Sequence, residues 1–298
     1  MIRSRRFSDR LVDVILYLLL VLLAVACAVP FLHVISLSVS SYRAVSAHAV
    51  SLWPVEPHLE NFDYMIGDSG FIRTFGNSAL RVVVGVSLSL LVITITAYPL
   101  SRDSVHMPGR TIFKFLMLFG MMFSGGLIPT FLAIRNLGLY DSFWVLVVPG
   151  ALNIFNTIVV INYFRGIPDE LWEAAMLDGA NHLQVLARVF IPISTPVLAT
   201  VTLFSAVGHW NAWFDALIYL KKAETWPLQT YLYGIVTTRS LSAHVGGQYE
   251  RAGDLFQQAT PEGLYTAMIL IAAIPIILVY PFLQRYFVHG LTLGAVKE

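Results

Sequence analysis

The feature that most constrains this chain is a series of long apolar runs separated by short polar segments. Of its 298 residues, 57% are hydrophobic and 12% are charged, and the mean hydropathy is +0.71. Soluble globular domains carry roughly 25% charged residues, about twice that share. Because the polar side chains are too few to cover a core of this size in water, the sequence predicts a membrane-embedded protein.

Six of the apolar runs are long enough to cross a bilayer, for which about 20 residues are needed. The sequence therefore predicts an all-α, polytopic membrane protein with one transmembrane domain over residues 1–298. The first run continues past Pro30 to Leu37, which is longer than the core of a signal peptide, so we expect this span to be retained. The predicted spans cover residues 11–36, 76–100, 112–134, 143–164, 192–220 and 263–287.

The basic residues predict the orientation of the chain. If the N-terminus lies inside, eleven Lys and Arg residues fall in the cytoplasmic segments and seven fall outside. Cytoplasmic segments are enriched in basic residues, so both termini are predicted to be cytoplasmic. In this scheme residues 51–71 form an outside loop, which we expect to be ordered because its aromatic side chains could pack on the membrane domain.

The fifth predicted span is interrupted by polar residues. The stretch Gly208–Asp215 places a histidine, an asparagine, an aspartate and two tryptophans at membrane depth. Polar groups in lipid are costly unless they face a cavity or a partner, and broken helices build binding sites in many transporters. An aromatic belt at the membrane edge explains the tryptophans equally well. Both interpretations stay open for His209, Trp210, Asn211 and Trp213.

Two asparagines in the fourth predicted span are further candidates. Asn153 and Asn156 lie three residues apart, which places them on one helical face. They either line a pathway or make hydrogen bonds between helices, and the second role is the more common one in membrane bundles. With the four residues of the fifth span, they complete the candidate substrate pathway.

Several function classes are not supported by any motif. The sequence has no GxxxxGK[ST] phosphate loop, no HExxH and no GxSxG, so we expect no catalysis and no ATP binding of that type. The histidines and acidic residues show no metal-ligand spacing, and we expect no metal site. The net charge of +1 provides no basic field for nucleic acid. The single cysteine, Cys27, excludes a disulfide within the chain.

A charged, alanine-rich segment, residues 166–191, separates the fourth and fifth predicted spans. Pro168 suits the first turn of a helix, and the acidic residues after it suit a helix N-terminus. Gly179 is placed to end this helix, and Asn181 is placed to cap a second one that runs to Pro192.

The first of these helices has the composition of a docking element. Its small apolar side chains permit close approach by another protein. The alternative, an amphipathic helix on the membrane surface, would be expected to carry basic residues on its polar face, whereas acidic residues dominate here. The small apolar face consists of Leu171, Ala174, Ala175 and Leu177.

The same segment resembles the EAA loop of ABC importer permeases. Glu173-Ala174-Ala175, Asp178-Gly179-Ala180 and the ending Val189–Pro192 are similar to that motif, with Val and Ile in place of the usual Ile and Leu. The resemblance extends over nearly the whole chain, including the C-terminal ending QRYFVHGLTLGAVKE. It is closest to the carbohydrate family of maltose type, and within it to permeases that import complex oligo- and polysaccharides, including uronate polymers such as alginate.

The resemblance implies the type I ABC importer permease fold and a non-catalytic transport role in the bacterial cytoplasmic (inner) membrane. The implied partners are a second homologous permease in a heterodimer, two ATPase subunits, an external solute-binding protein, the saccharide substrate and membrane lipid, with no nucleic acid. ATP and magnesium would be bound by the ATPase subunits, and this chain would hold no cofactor. An ion-gradient-driven secondary transporter or a channel subunit is the alternative, with Asp215 as the nearest candidate for a buried carboxylate.

The resemblance also implies which residues couple this chain to an ATPase. Residues Glu173 to Gly179 would form a coupling helix seated in an ATPase cleft, where Glu173 pairs with a basic group, and the C-terminal tail would reach between the ATPases. The coupling residues are Glu170, Glu173, Ala174, Ala175, Asp178, Gly179 and Ala180. The tail residues are Gly290, Gly294 and Lys297.

Overall fold

The computed structural model describes residues 7–102, 107–245 and 261–295, and every regular element in these ranges is helical. The chain divides into two units, one of Met1–Ser69 with Val236–Ile274 and the other of Gly70–Ile235 with Pro275–Glu298. The candidate coupling and pathway residues belong to the second unit. Lys297 lies outside the described residues.

The α-helices of the described residues are named here in chain order. They are α1 (Phe7–Ser38), α2 (Tyr42–Ser46), α3 (Glu60–Gly67), α4 (Ser69–Ser101), α5 (Arg110–Met122), α6 (Leu127–Asn136), α7 (Ile154–Arg165), α8 (Asp169–Leu177), α9 (His182–Val185), α10 (Ile191–Ile193), α11 (Thr195–Asn211), α12 (Phe214–Tyr219), α13 (Leu228–Val245) and α14 (Pro261–Ala295). A π-helical turn, Leu186–Phe190, joins α9 to α10, and short 3-10 turns lie at Phe143–Leu146 and Ala223–Thr225.

Three helices in the described part of the chain are long and apolar enough to cross a membrane. They lie at Leu11–Ser38, Ser69–Ser101 and Glu262–Val279 and correspond to the first, second and sixth predicted spans. A bent pair, His182–Ile193 followed by Thr195–Asn211, qualifies as a fourth if it is counted as one span. The number of six crossings therefore stays a prediction.

The third and fourth predicted spans are not continuous helices. Between α5 and α6, the sequence FSGG at Phe123–Gly126 breaks the third span, and Gly126 has a φ of +82°, a conformation that side-chain-bearing residues rarely adopt. The fourth span opens with a 3-10 turn and becomes α-helical only at Ile154. Apolar length alone does not reveal such breaks, because glycine and serine do not end an apolar run.

The predicted interruption of the fifth span is confirmed, since α11 ends at Asn211 and α12 begins at Phe214. A bend of 85° separates α10 from α11 at Ser194. The helices on both sides of this bend pack with α4 and α7 around one core, in which Phe164 and Phe190 are the largest completely buried side chains.

The predicted outside loop, residues 51–71, is held near its start by hydrogen bonds to serines at and just after the end of α1. The Ser36 hydroxyl donates to the carbonyl of Leu52 at 2.7 Å, and the Ser40 hydroxyl accepts from the amide of Val55 at 3.0 Å. Trp53 is 81% exposed. The expectation of aromatic packing is confirmed for Phe71, which is buried with its ring 6.5 Å from that of Phe75, but not for Trp53.

Candidate functional site

The predicted coupling segment, residues 166–191, contains α8, which ends in a Schellman motif. The Gly179 amide donates to the Met176 carbonyl at 3.0 Å, and the Ala180 amide donates to the Ala175 carbonyl at 3.1 Å. This arrangement requires a left-handed residue after the helix, and Gly179 has a φ of +83°. The prediction that Gly179 ends the helix is confirmed.

A capping box starts the next helix two residues later. The Asn181 side chain accepts a hydrogen bond from the Gln184 amide, and the Gln184 side chain accepts one from the Asn181 amide, both at 2.9 Å. Two backbone donors at the start of α9 are thereby satisfied. The predicted helix-turn-helix is confirmed, and its second helix contains the π-helical turn in addition.

The surface of α8 divides into an exposed face and a packed face. The exposed face combines acidic and apolar side chains, and Leu177 is 88% exposed. The packed face lies against the core around Phe164 and Phe190. The predicted small apolar face is split accordingly: Ala174 faces outward, whereas Ala175 packs inward. The exposed residues are Glu170, Leu171, Glu173, Ala174, Leu177, Asp178 and Gly179, and the partly buried ones are Trp172, Ala175, Met176 and Ala180.

A buried arginine, which the sequence analysis did not select, fixes the start of α8. Arg102 directly follows α4, and its side chain is 4% exposed. Its guanidinium pairs with the Asp169 carboxylate, donates to the Phe164 carbonyl at 3.0 Å and donates to the Ile167 carbonyl. It also lies 5.1 Å from the ring centre of Phe190. One side chain thus contacts α7, the turn before α8, α8 itself and the π-helical turn.

An aromatic cluster provides a second attachment between α8 and α4. Trp172 of α8 donates from Nε1 to the Tyr98 hydroxyl at 3.1 Å, and that hydroxyl lies 3.3 Å from Nδ1 of His182. The rings of Trp172 and His182 stack at 6.3 Å. Sequence periodicity gives no sign of this cluster, because Tyr98 lies 74 residues before Trp172.

A polar cavity of about 340 Å³ lies within the second unit and brings together three of the six candidate pathway residues. Asn153 caps α7 by accepting from the Asn156 amide at 3.0 Å, and the Asn156 side chain lies 3.5 Å from the Ser205 hydroxyl of α11. The two asparagines therefore support the helices and also line the cavity with His209. Both roles considered for them are compatible with their positions.

An ion pair whose arginine is almost fully buried also lines the cavity. The Arg81 side chain of α4 is 3% exposed and makes a two-pronged contact with the carboxylate of Asp215, one bond of which measures 3.1 Å. Arg81 further donates to the Ala212 carbonyl at 3.1 Å. The arginine therefore ties α4 to the break between α11 and α12, where the helix has left a backbone carbonyl without an intrahelical partner.

His209 reaches the cavity because α4 and α11 approach closely at a glycine. A Cβ atom placed on Gly85 would lie 2.5 Å from Nε2 of His209, so the imidazole occupies the space that any larger residue would fill. The missing side chain at Gly85 thus positions this ring.

The other three candidate pathway residues lie away from this cavity. Trp210 is buried edge-on against Phe75, with ring centres 5.5 Å apart. Trp213 stacks on Tyr233 at 4.1 Å, and Asn211 is exposed at the end of α11. The pathway role of all six remains a prediction. Of the tail residues, Gly290 and Gly294 lie within α14.

Comparison with known proteins places this helical architecture among inner-membrane transport proteins. A protein family described as binding-protein-dependent transport system inner membrane component matches residues 2–293, and the chain belongs to this family. The polygalacturonan/rhamnogalacturonan transport system permease protein YtcP of Bacillus subtilis (strain 168) is 37% identical over 97% of this chain and 99% of its own length. Protein LplC of the same strain is 38% identical over 90% and 88%, respectively.

Solved structures agree with this assignment. A chain in the crystal structure of a bacterial ABC transporter involved in the import of the acidic polysaccharide alginate matches with a TM-score of 0.87 and 36% identity, over 95% of this chain and 99% of that one. A chain of a bacterial alginate ABC transporter in complex with an alginate pentasaccharide-bound periplasmic protein matches at 0.58 and 14% identity, over 95% and 96%, which shows the fold alone.

The predicted resemblance to ABC importer permeases and the all-α permease fold are confirmed by these matches. The alternative of an ion-gradient-driven secondary transporter is not supported. Asp215, the carboxylate considered for that role, is held in the ion pair with Arg81.

Proposed function

We propose that this chain is a permease subunit of an ATP-driven bacterial importer that moves an acidic oligo- or polysaccharide of the uronate type into the cytoplasm. The observation that carries the proposal is the likeness, at 36% identity and a TM-score of 0.87, to a chain of a transporter that imports the acidic polysaccharide alginate. A relative at 37% identity is named for polygalacturonan, another polymer whose sugar units carry carboxylates.

In this proposal the chain works within a larger complex. It pairs with a second, homologous permease around one pathway, and two ATPase subunits on the cytoplasmic face bind ATP and magnesium, so this chain itself needs no cofactor. An external solute-binding protein delivers the sugar. The family's description as a component of binding-protein-dependent transport supports this last partner. Both termini lie in the cytoplasm, and Gly290, Gly294 and Lys297 belong to a tail that reaches between the ATPases.

The exposed face of α8 is the surface offered to the ATPase. Glu170 and Glu173 provide negative charge for a basic cleft, and Leu177 provides an apolar side chain that docking would bury. Closure of the ATPase pair then moves α8 and switches the pathway between inward-facing and outward-facing states. Gly179 holds the turn that gives α8 its position.

The polar cavity is the part of the pathway that this subunit contributes. Its lining offers amide, hydroxyl and imidazole groups that suit sugar hydroxyls, chiefly those of Asn153, Asn156, Ser205 and His209. We place Trp210, Asn211 and Trp213 at the border of the wider pathway, outside this cavity, because they belong to the same broken span.

The test is ATP hydrolysis and sugar uptake by the reconstituted complex, with binding protein and oligouronates present. Glu173→Gln removes the charge at constant size, and Gly179→Ala places a Cβ in a left-handed conformation at a cost of about 1–2 kcal/mol. We expect both variants to lose most uronate uptake, while Glu224→Gln, which changes an exposed carboxylate elsewhere, retains it. Stimulation of the wild-type complex by neutral oligosaccharides only, or wild-type uptake by both α8 variants, would refute the proposal.

A further inference from the structure

We infer that α4 transmits movement of α8 to the cavity as a rigid helix, and that Arg102 is the positioning residue that holds α8 against α4. We call this attachment the clamp. The inference rests on the proposed function, in which α8 contacts an ATPase, and adds how its movement is transmitted within this chain. It starts from two buried arginines, Arg81 within α4 and Arg102 directly after its last residue.

First, the clamp depends on the chemistry of the buried Arg102 guanidinium. A buried guanidinium must be compensated by several acceptors, since burying an unpaired charge is very costly. Arg102 meets most of this need with the Asp169 carboxylate, the Phe164 carbonyl of α7 and the Ile167 carbonyl of the turn before α8, while its Nε makes no hydrogen bond. The planar fork of arginine can serve acceptors in different directions at fixed angles, whereas lysine offers a compact point charge. The turn before α8 is therefore shaped around this one side chain.

The second step is that the clamp has two points of contact. Tyr98 lies one turn before Arg102 on α4 and accepts the Trp172 hydrogen bond, so the first turn of α8 is attached at both positions. Pro99 lies between them, and proline removes a backbone hydrogen bond from the last turn of α4. The ion pair and the hydrogen bond to α8 therefore compensate for the backbone hydrogen bond that proline removes from this last turn.

The third step connects the clamp to the cavity. Arg81 lies 21 positions before Arg102 on the same chain segment, a distance of roughly 31 Å at 1.5 Å per helical residue. There it pairs with Asp215 and contacts Ala212 at the break between α11 and α12. Because the contacts at Arg102 hold α8 to the end of α4, a displacement of α8 also displaces α4. Since α4 is one continuous helix, this movement reaches Arg81 and the wall of the cavity.

The experiment separates this role from a simply structural one. In the complete reconstituted complex, the amount of sugar moved per ATP hydrolysed is measured for Arg102→Lys, Trp172→Phe and the exposed control Arg165→Met. We expect the first two variants to lower this ratio at least about fivefold while hydrolysis continues, because α8 moves without α4. The control should match the wild type. A merely structural defect would lower transport and hydrolysis together and leave the ratio unchanged, which would overturn the inference.

A second readout does not depend on transport. Spin labels at Leu91→Cys on α4 and Leu171→Cys on α8, both exposed, are placed in a Cys27→Ser background. In the otherwise unaltered complex we expect one narrow distance distribution, the same with and without ATP, and a broader one in Arg102→Lys. If that variant does not assemble, Trp172→Phe, which loses one donor and keeps the ring, provides the comparison.

The outcomes for the two proposals are distinct. A distance that changes with ATP in the complex with native Arg102 would overturn the clamp, because α8 would be moving independently of α4. If no saccharide stimulates hydrolysis, the proposed function fails, and the label distances of wild type and variants still decide whether Arg102 holds α8 to α4.

Discussion

At the scale of single residues, the Arg81–Asp215 pair shows how a charge is kept inside this protein. The two-pronged contact and the Ala212 carbonyl give three hydrogen bonds to a guanidinium whose side chain is almost completely buried. Such a pair gives little net stability compared with apolar residues of the same size, but it is costly to break on one side only. Its function here is therefore geometric, because it fixes where α11 ends and α12 begins.

The first prediction follows from that asymmetry. Asp215→Ala leaves Arg81 buried without a carboxylate and should lower the free energy of unfolding by about 3–5 kcal/mol. The double variant Arg81→Met with Asp215→Leu should recover most of this loss, because it removes both charges. The measurement is unfolding of the purified complex in detergent.

The exposed pair of Arg73 and Glu224, at 3.9 Å, is the matched control. Glu224→Gln should change stability by less than about 1 kcal/mol, as is usual for solvent-exposed ion pairs. An equal effect of Glu224→Gln and Asp215→Ala would contradict the importance assigned to burial.

At the scale of elements, features that depend on neighbouring residues could be predicted from the sequence, whereas features that depend on distant contacts could not. The end of α8 at Gly179 and the cap at Asn181 were predictable, because a left-handed stop and an Asn cap depend on neighbouring residues only. Arg102 and the partnership of Arg81 with Asp215 were not, because their partners lie 62 to 134 residues away. Of the fifth span, the break at polar residues was visible, but the bend at Ser194 was not.

The second prediction concerns the approach of α4 to α11. Gly85→Ala places a Cβ against the His209 ring, whose atoms can rotate away more easily than backbone can. We expect a stability loss below about 1.5 kcal/mol, the usual range for a displaced rotamer, together with reduced sugar uptake because the ring is pushed toward the cavity.

Gly76→Ala on the same helix is the matched control, since a Cβ there meets no atom within 4 Å. Uptake should be normal in Gly76→Ala and should stay reduced when Gly85→Ala is combined with His209→Ala, because the double variant has no imidazole in the cavity. Normal uptake in Gly85→Ala itself would argue against a pathway role for His209.

At the scale of the whole molecule, the third prediction is the orientation of the chain in the membrane. In a Cys27→Ser background, and in membranes that contain the permease without ATPase subunits, Leu177→Cys and Trp53→Cys both present highly exposed thiols, at positions 88% and 81% exposed. If the excess of basic residues places the termini inside, an impermeant maleimide should label Leu177→Cys only in inside-out vesicles and Trp53→Cys only in right-side-out vesicles. The reverse pattern would invert the proposed topology.

The exposed leucine on α8 also bears on how the cell must supply this subunit. A leucine that stays in water forgoes roughly 1.5–3 kcal/mol of burial free energy, so if α8 docks on an ATPase as proposed, a copy without that partner keeps an apolar side chain exposed on α8. Under the proposed function, the unassembled permease would therefore associate with other proteins more readily than the assembled one, and the two subunits would need to be made in balanced amounts.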